Sequence, residues 1–339
     1  MAADDHAVVV GISRYPGLNN LSGPENDAKD FHDWLCSPTG AAVPAGNITK
    51  ILSSEYHPPD PKTPFEAKPT TEAVLVAFDT IQQQGVARGK VGRRLYIYLA
   101  GHGFAPDYKE AALLMANAAE TRFYHVAGSR YADYFARAGF FDEVVLFMDC
   151  CRNDYTRAPL MDPVYEKRTS MQPARVCYGF ATKWSRAARE RPLAQTGVVR
   201  GLFTLVLLEG LRGAAPRDSQ GNVTGATLKA YVLNELPKRF GTGEFQEPQI
   251  LADDPVVFPA PAAKLPDFHV RVTLSPANTG KAVELVDGAF RPIRGNNPSP
   301  DRWEWHVSSP GLYQVRVAGG PEQVPFPLIG EGEVKDVTI

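Results

Sequence analysis

The chain has 339 residues, room for two domains at roughly 150 residues each. With 44% hydrophobic and 22% charged residues it has the means to bury a sizeable core, which excludes global disorder. Lys and Arg number 36 against 38 Asp and Glu, and a net charge of -2 argues against a nucleic-acid binder or a polybasic membrane protein.

In chain order, the opening Met1-Ala2-Ala3-Asp4-Asp5 is acidic where a secretory leader is basic. No apolar run approaches the roughly 20 residues of a membrane helix, so the expectation is a soluble, cytoplasmic protein. Ala7–Val10 reads as a buried strand, and Glu25–Leu35 as a helix opening after Ser22-Gly23-Pro24. Ile48–Leu52 is a second strand, followed by a Pro-rich excursion over His57–Pro69. A helix over Thr70–Gln84 leads to a strand over Leu95–Leu99, and a helix over Ser129–Gly139 to a strand over Val144–Met148. Val176–Phe180 is the next strand, and helices are expected over Val199–Leu211 and Ala226–Arg239.

Short, continuously apolar strands alternating with helices predict an α/β fold, a mainly parallel sheet with helices on both sides. The Pro-rich stretch Asp254–Pro266 ends that pattern, and the period then changes to two. Phe268–Leu274, Trp303–Val307 and Leu312–Val317 alternate, with Gly, Pro and Asn turns between them, as in a small all-β sandwich. The expected organisation is an α/β domain over 1–258, a linker over 259–266 and a β-sandwich over 267–339.

Chemistry concentrates at two strand ends, where open parallel sheets carry their functional groups. Leu95–Leu99 runs into Ala100-Gly101-His102-Gly103, and Val144–Met148 runs into Asp149-Cys150-Cys151-Arg152. The four cysteines, Cys36, Cys150, Cys151 and Cys177, are too few for a disulfide scaffold, and none has zinc-site spacing. A histidine and a cysteine on neighbouring strand ends suit a dyad in which imidazole activates a thiol. Proximity alone leaves Cys150 and Cys151 in competition, although alternation sends one into the core and the other to the cleft.

The chain resembles the caspase-like peptidases, most of all the metacaspases and their bacterial relatives. The likeness rests on Ala7–Ile12 with Tyr15, Leu18 and Leu21, on Gly23-Pro24-Glu25-Asn26-Asp27-Ala28, on Tyr98-Leu99-Ala100-Gly101-His102-Gly103 and on Asp149-Cys150-Cys151. Ala181-Thr182, Gly201-Leu202-Phe203-Thr204 and Leu208-Glu209-Gly210-Leu211 extend it through most of residues 6–257. His102 lies 49 residues before Cys151, close to the roughly 50-residue caspase spacing. The resemblance implies a three-layer α/β/α domain, Cys151 as nucleophile, His102 as its partner, and oxyanion-hole amides from Gly103 and Cys151.

Caspases proper carry Gln where this chain has Asp149, and the metacaspase pattern pairs that acid with Asp27. Two carboxylates suit a guanidinium and repel an aspartate, so the expected S1 preference is Arg, then Lys. The bland reading of Asp27 is a helix N-terminal acid. Between the nucleophile and the next strand, Arg157, Lys167, Arg168 and Arg175 lie in a polar stretch, the candidate sites of processing by the enzyme or an upstream protease. The acidic cluster of calcium-dependent metacaspases has Asn117, Ala127-Gly128 and Ala158 in its place, so neither a metal nor a cofactor is expected. The expected partners are protein substrates with a basic P1 residue and an activating protease or regulator, with no nucleic acid or membrane. By family analogy the setting is bacterial stress or defence. The rival readings are an idle caspase-like scaffold with a docking β-domain, and another thiol-dependent hydrolase or transferase.

Overall fold

The structure, a computed structural model, describes residues 4–152, 159–166, 168–183, 188–193, 196–239, 246–253, 255–260, 268–307, 311–321, 323–329 and 333–339. The chain divides into two compact units, Met1–Pro261 and Ala262–Ile339. Most of the Pro-rich linker expected over 259–266 lies outside the described residues.

In the first unit the strands are β1 (His6–Gly11), β2 (Ile48–Leu52), β3 (Arg94–Gly101), β4 (Gly103–Phe104), β5 (Ala112–Leu114), β6 (His125–Val126) and β7 (Glu143–Cys150). They continue with β8 (Arg175–Phe180), β9 (Glu190–Pro192), β10 (Val199–Gly201), β11 (Val223–Thr224), β12 (Gln249–Ala252) and β13 (Val257–Phe258). The helices are α1 (Pro24–Cys36), α2 (Thr71–Arg88), α3 (Gly128–Ala138), α4 (Leu202–Glu209) and α5 (Gly225–Glu235).

The central sheet runs β12-β8-β7-β3-β1-β2. Its pairings are parallel except that β12 lies antiparallel to β8. Alternation divides the side chains of each strand between two cores. Val8, Val10, Ile97, Leu99, Leu146 and Met148 face one core with α2 and α3 residues such as Phe78 and Phe135. Val9, Tyr96, Tyr98, Val145 and Phe147 face the other, where Phe31 and Trp34 of α1, Phe203 of α4 and Leu228 of α5 pack. The result is a three-layer α/β/α unit.

One expected element is wrong in kind. Val199–Leu211 is not a single helix, because Val199–Gly201 forms β10, antiparallel to β9, and the helix starts at Leu202. The strand gives way to the helix at Gly201, a closely packed position. A Cβ there would lie 2.3 Å from Oδ2 of Asp149 and 2.7 Å from Oδ2 of Asp27, so only glycine lets the backbone pass between these carboxylates. The antiparallel edge strand β12 was also not expected.

The second unit contains β14 (Phe268–Thr273), β15 (Val283–Asp287), β16 (Pro292–Asn296), β17 (Arg302–Val307), β18 (Gly311–Val317), β19 (Phe326–Leu328) and β20 (Val334–Thr338). They form two sheets, β17-β14-β20 and β16-β15-β18-β19. Val270, Val272 and Trp305 from one sheet pack with Leu285, Tyr313 and Val315 from the other. This is a sandwich-like β unit.

Candidate active site

The parallel register of β3 and β7 ends with Ala100 opposite Asp149 and Gly101 opposite Cys150. The next residues along the chain, His102 and Cys151, line the same cleft. Alternation then places Asp149 and Cys151 on one side of the strand and Cys150 on the other. Cys150 is 1% exposed within the α2/α3-side core, whereas Cys151 lines a cleft together with His102. Burial pushes the Cys150 thiol far up, so it stays protonated.

His102 is held on three sides. Its backbone N–H donates to the Tyr15 hydroxyl at 3.0 Å, and that hydroxyl donates to Leu114 O at 3.0 Å. The Tyr15 ring meets the imidazole edge-on, 4.7 Å between centroids. Nε2 lies 2.6 Å from Asn19 O. A carbonyl only accepts, so Nε2 carries the proton in the neutral ring and Nδ1 holds the lone pair. The turn that allows this is at Gly101, whose φ of +154° goes with a position where a Cβ would lie 2.3 Å from the Tyr15 hydroxyl.

The cleft is also lined by Leu21, Pro24, Asp27, Asp149, Glu190 and Gly201, and its volume is about 70 Å³. The segment before β9 borders it: the Ala188 N–H donates to Cys151 Sγ at 3.3 Å. Burial pushes the Cys151 thiol up, and burial pulls the His102 imidazole down despite its Asn19 hydrogen bond. The pair therefore rests as neutral thiol and neutral imidazole.

Asp27 and Asp149 both reach the cleft from buried positions, 1% and 7% exposed. Oδ2 of Asp149 accepts from the Thr204 backbone N–H at 3.1 Å and from its hydroxyl at 2.7 Å. Burial outweighs these bonds and pushes the Asp149 carboxyl up to about 6. Asp27 accepts from Arg200 Nε at 2.6 Å and from the Gly201 N–H at 2.7 Å. Burial, and then the charge of Asp149, push the Asp27 carboxyl up against the pull of Arg200. A third carboxylate, Glu190, accepts from the Gly23 N–H at 2.8 Å and the Ser22 N–H at 3.1 Å.

Arg200, Glu190, Thr204 and the Asn19 carbonyl are parts of the site that sequence reasoning passed over as such. Gly103 begins β4 and packs on Cys150, with a Cβ position 2.6 Å from its sulfur. Of the candidate processing sites, Arg157 and Lys167 lie outside the described residues. Arg168 sits over the Phe140 ring at 5.8 Å, and Arg175 opens β8 and pairs with buried Glu143 at 2.7 Å. Among the described residues, no helix is long and apolar enough to cross a membrane.

A family model described as "Caspase domain" matches residues 4–252. A probable protease from a Desulfuromonadales bacterium is 25% identical over 312 residues, which are 83% of this chain and 37% of that protein. The chain thus spans little more than a third of that relative's length. Caspase-1 from Spodoptera frugiperda is a structural neighbour with a TM-score of 0.48 and 14% identity, covering 74% of this chain and 87% of its own.

Proposed function

The chain belongs to the caspase domain family, and from that premise we propose that it is a cysteine endopeptidase cleaving after Arg, with Lys second. The observation that carries the proposal is that His102 and Cys151, each just past the end of a neighbouring strand, line one cleft with two buried carboxylates.

In this reading, the Cys151 thiol gives its proton to His102 Nδ1 as its sulfur attacks the scissile carbonyl carbon. Because the resting pair is neutral, transfer accompanies attack instead of preceding it. The backbone amides of Cys151 and Gly103 are the proposed donors to the resulting oxyanion. Collapse breaks the C–N bond, the amine leaves with the proton from Nδ1, and a thioester remains. Water then gives a proton to Nδ1 and attacks the thioester, releasing the acid and restoring the thiol.

A P1 guanidinium would meet Asp149, which among the described residues has no direct arginine contact, with Asp27 and Glu190 beside it. The Ala188–Glu190 segment borders that cleft, with the Ala188 N–H on Cys151 Sγ. Arg168 remains the described candidate for activating cleavage, since a cut after Arg175 would open the central sheet.

The Ala188 N–H that engages the Cys151 sulfur is what favours the second reading, a domain that never turns over. A fluorogenic peptide panel with P1 Arg, Lys, Asp or a neutral residue decides between them. Turnover led by Arg supports the peptidase, turnover led by Asp overturns the pocket, and none with any peptide after cleavage in the 152–175 stretch supports the scaffold.

A further inference from the structure

The outer face of the β17-β14-β20 sheet gathers nitrogen and oxygen ligands that the peptidase reading does not use. β14 and β17 are antiparallel, with His269 opposite His306, Val270 opposite Trp305 and Arg271 opposite Glu304. Val270 and Trp305 point into the sandwich core, so alternation turns His269, Glu304 and His306 to the outer face. The imidazole centroids are 4.4 Å apart, and His269 Nδ1 pairs with Glu304 Oε1. One ligand atom from each of the three residues lies within 4.8 Å of the others.

We propose that His269, Glu304 and His306 form a binding site for zinc, or a divalent ion of similar preference for nitrogen. Two imidazoles and a carboxylate are a ligand set that zinc accepts, leaving a fourth position for water. Tetrahedral bonds of roughly 2.0–2.1 Å separate ligand atoms by roughly 3.3 Å. The side chains must therefore draw in by at most about 1.5 Å from the 4.8 Å limit, within the reach of χ rotations on an open sheet face. Arg271 would orient the carboxylate. Its Nε is 3.7 Å from Oε2 of Glu304, which keeps that oxygen engaged while Oε1 faces the histidines. An ion held this way clips β14 to β17 and stabilises their register.

The test uses the full chain without tag histidines, stripped with chelator, dialysed against micromolar zinc and counted by metal mass spectrometry. A thiol–imidazole pair such as Cys36, with its sulfur 3.7 Å from His32 Nε2, offers zinc a competing partner, so the readout is the difference between proteins. His306→Ala and Glu304→Gln should each hold one equivalent fewer than wild type. Zinc should also raise the unfolding midpoint of the wild type by more than that of either variant. Glu304→Gln keeps the side chain's size and carries the test if His306→Ala fails to fold. Equal zinc counts and equal midpoint shifts in wild type and the folded variants would overturn the site, as would a wild type that binds none.

Discussion

Arg200 donates from Nε to Oδ1 of Asp27 at 2.6 Å, with side chains only 7% and 2% exposed. Asp27 therefore stabilises the α1–β10 contact as well as facing the cleft. Arg200 also pairs with Asp30, so deleting Asp27 costs less than the about 3–5 kcal/mol of an unpaired buried charge. Asp27→Ala should lower Tm by about 5 °C, and Asp27→Ala with Arg200→Met should recover part of it. A double-mutant cycle by calorimetry checks this, and additive losses would show that the pair is not coupled.

The pocket has its own pH signature. Asp149, pushed up to about 6 by burial, is ionised above that pH and neutral below it. The ratio of kcat/KM for an Arg peptide to that for a neutral-P1 peptide should fall as pH drops through about 6. The ratio cancels the titration of the dyad, which acts on both peptides, and kcat/KM reports the free enzyme. Loss of one charge-assisted contact is worth about 1.5–3 kcal/mol, a ~10–150-fold change. Asp149→Asn should flatten the profile; a variant with the wild-type slope would assign it to another group.

The thiol should be slow to ionise. Burial raises Cys151 and lowers His102, so no thiolate–imidazolium pair is stored in the resting enzyme. Iodoacetamide inactivation should climb through the alkaline range. An inflection near pH 4, the behaviour of a preformed ion pair as in papain, would contradict this.

Removal of the second unit should separate peptide turnover from target recognition. Its core is built from Phe268, Val270, Leu285 and their neighbours in the same unit, and none of the cleft residues lies there. Truncation after Pro266 should leave Arg-peptide turnover measurable and impair cleavage of the protein target. A folded truncation with no peptide activity would make the β unit part of the catalytic machinery.

What the sequence disclosed follows from period and burial. Ile48–Leu52 coincides with β2, an edge strand, and the apolar runs before His102 and Asp149 fall inside β3 and β7, whose burial along their whole length demands continuously apolar sequence. The β9–β10 hairpin escaped because its paired strands have three residues each, too short for any period, and Leu202–Leu208 extends a helical signal back over it. With the hairpin went the positions of Glu190 and Arg200. In the β unit, Pro292–Asn296 carries Arg and Gly without alternation, and Phe326–Leu328 is interrupted by Pro327. The three outer-face ligands escaped for a different reason. Glu304 and His306 are two apart on one strand while His269 comes from another, so only the register joins them.

The central claim is that Cys151, not Cys150, attacks beside a pocket for basic side chains. Mass-spectrometric mapping of the adduct left by a short peptide ending in an arginyl chloromethyl ketone tests both halves at once. The account expects modification at Cys151, reduced by His102→Ala and outcompeted by Arg peptides but not by Asp peptides. An adduct on Cys150, or faster labelling by the aspartyl analogue, would contradict it.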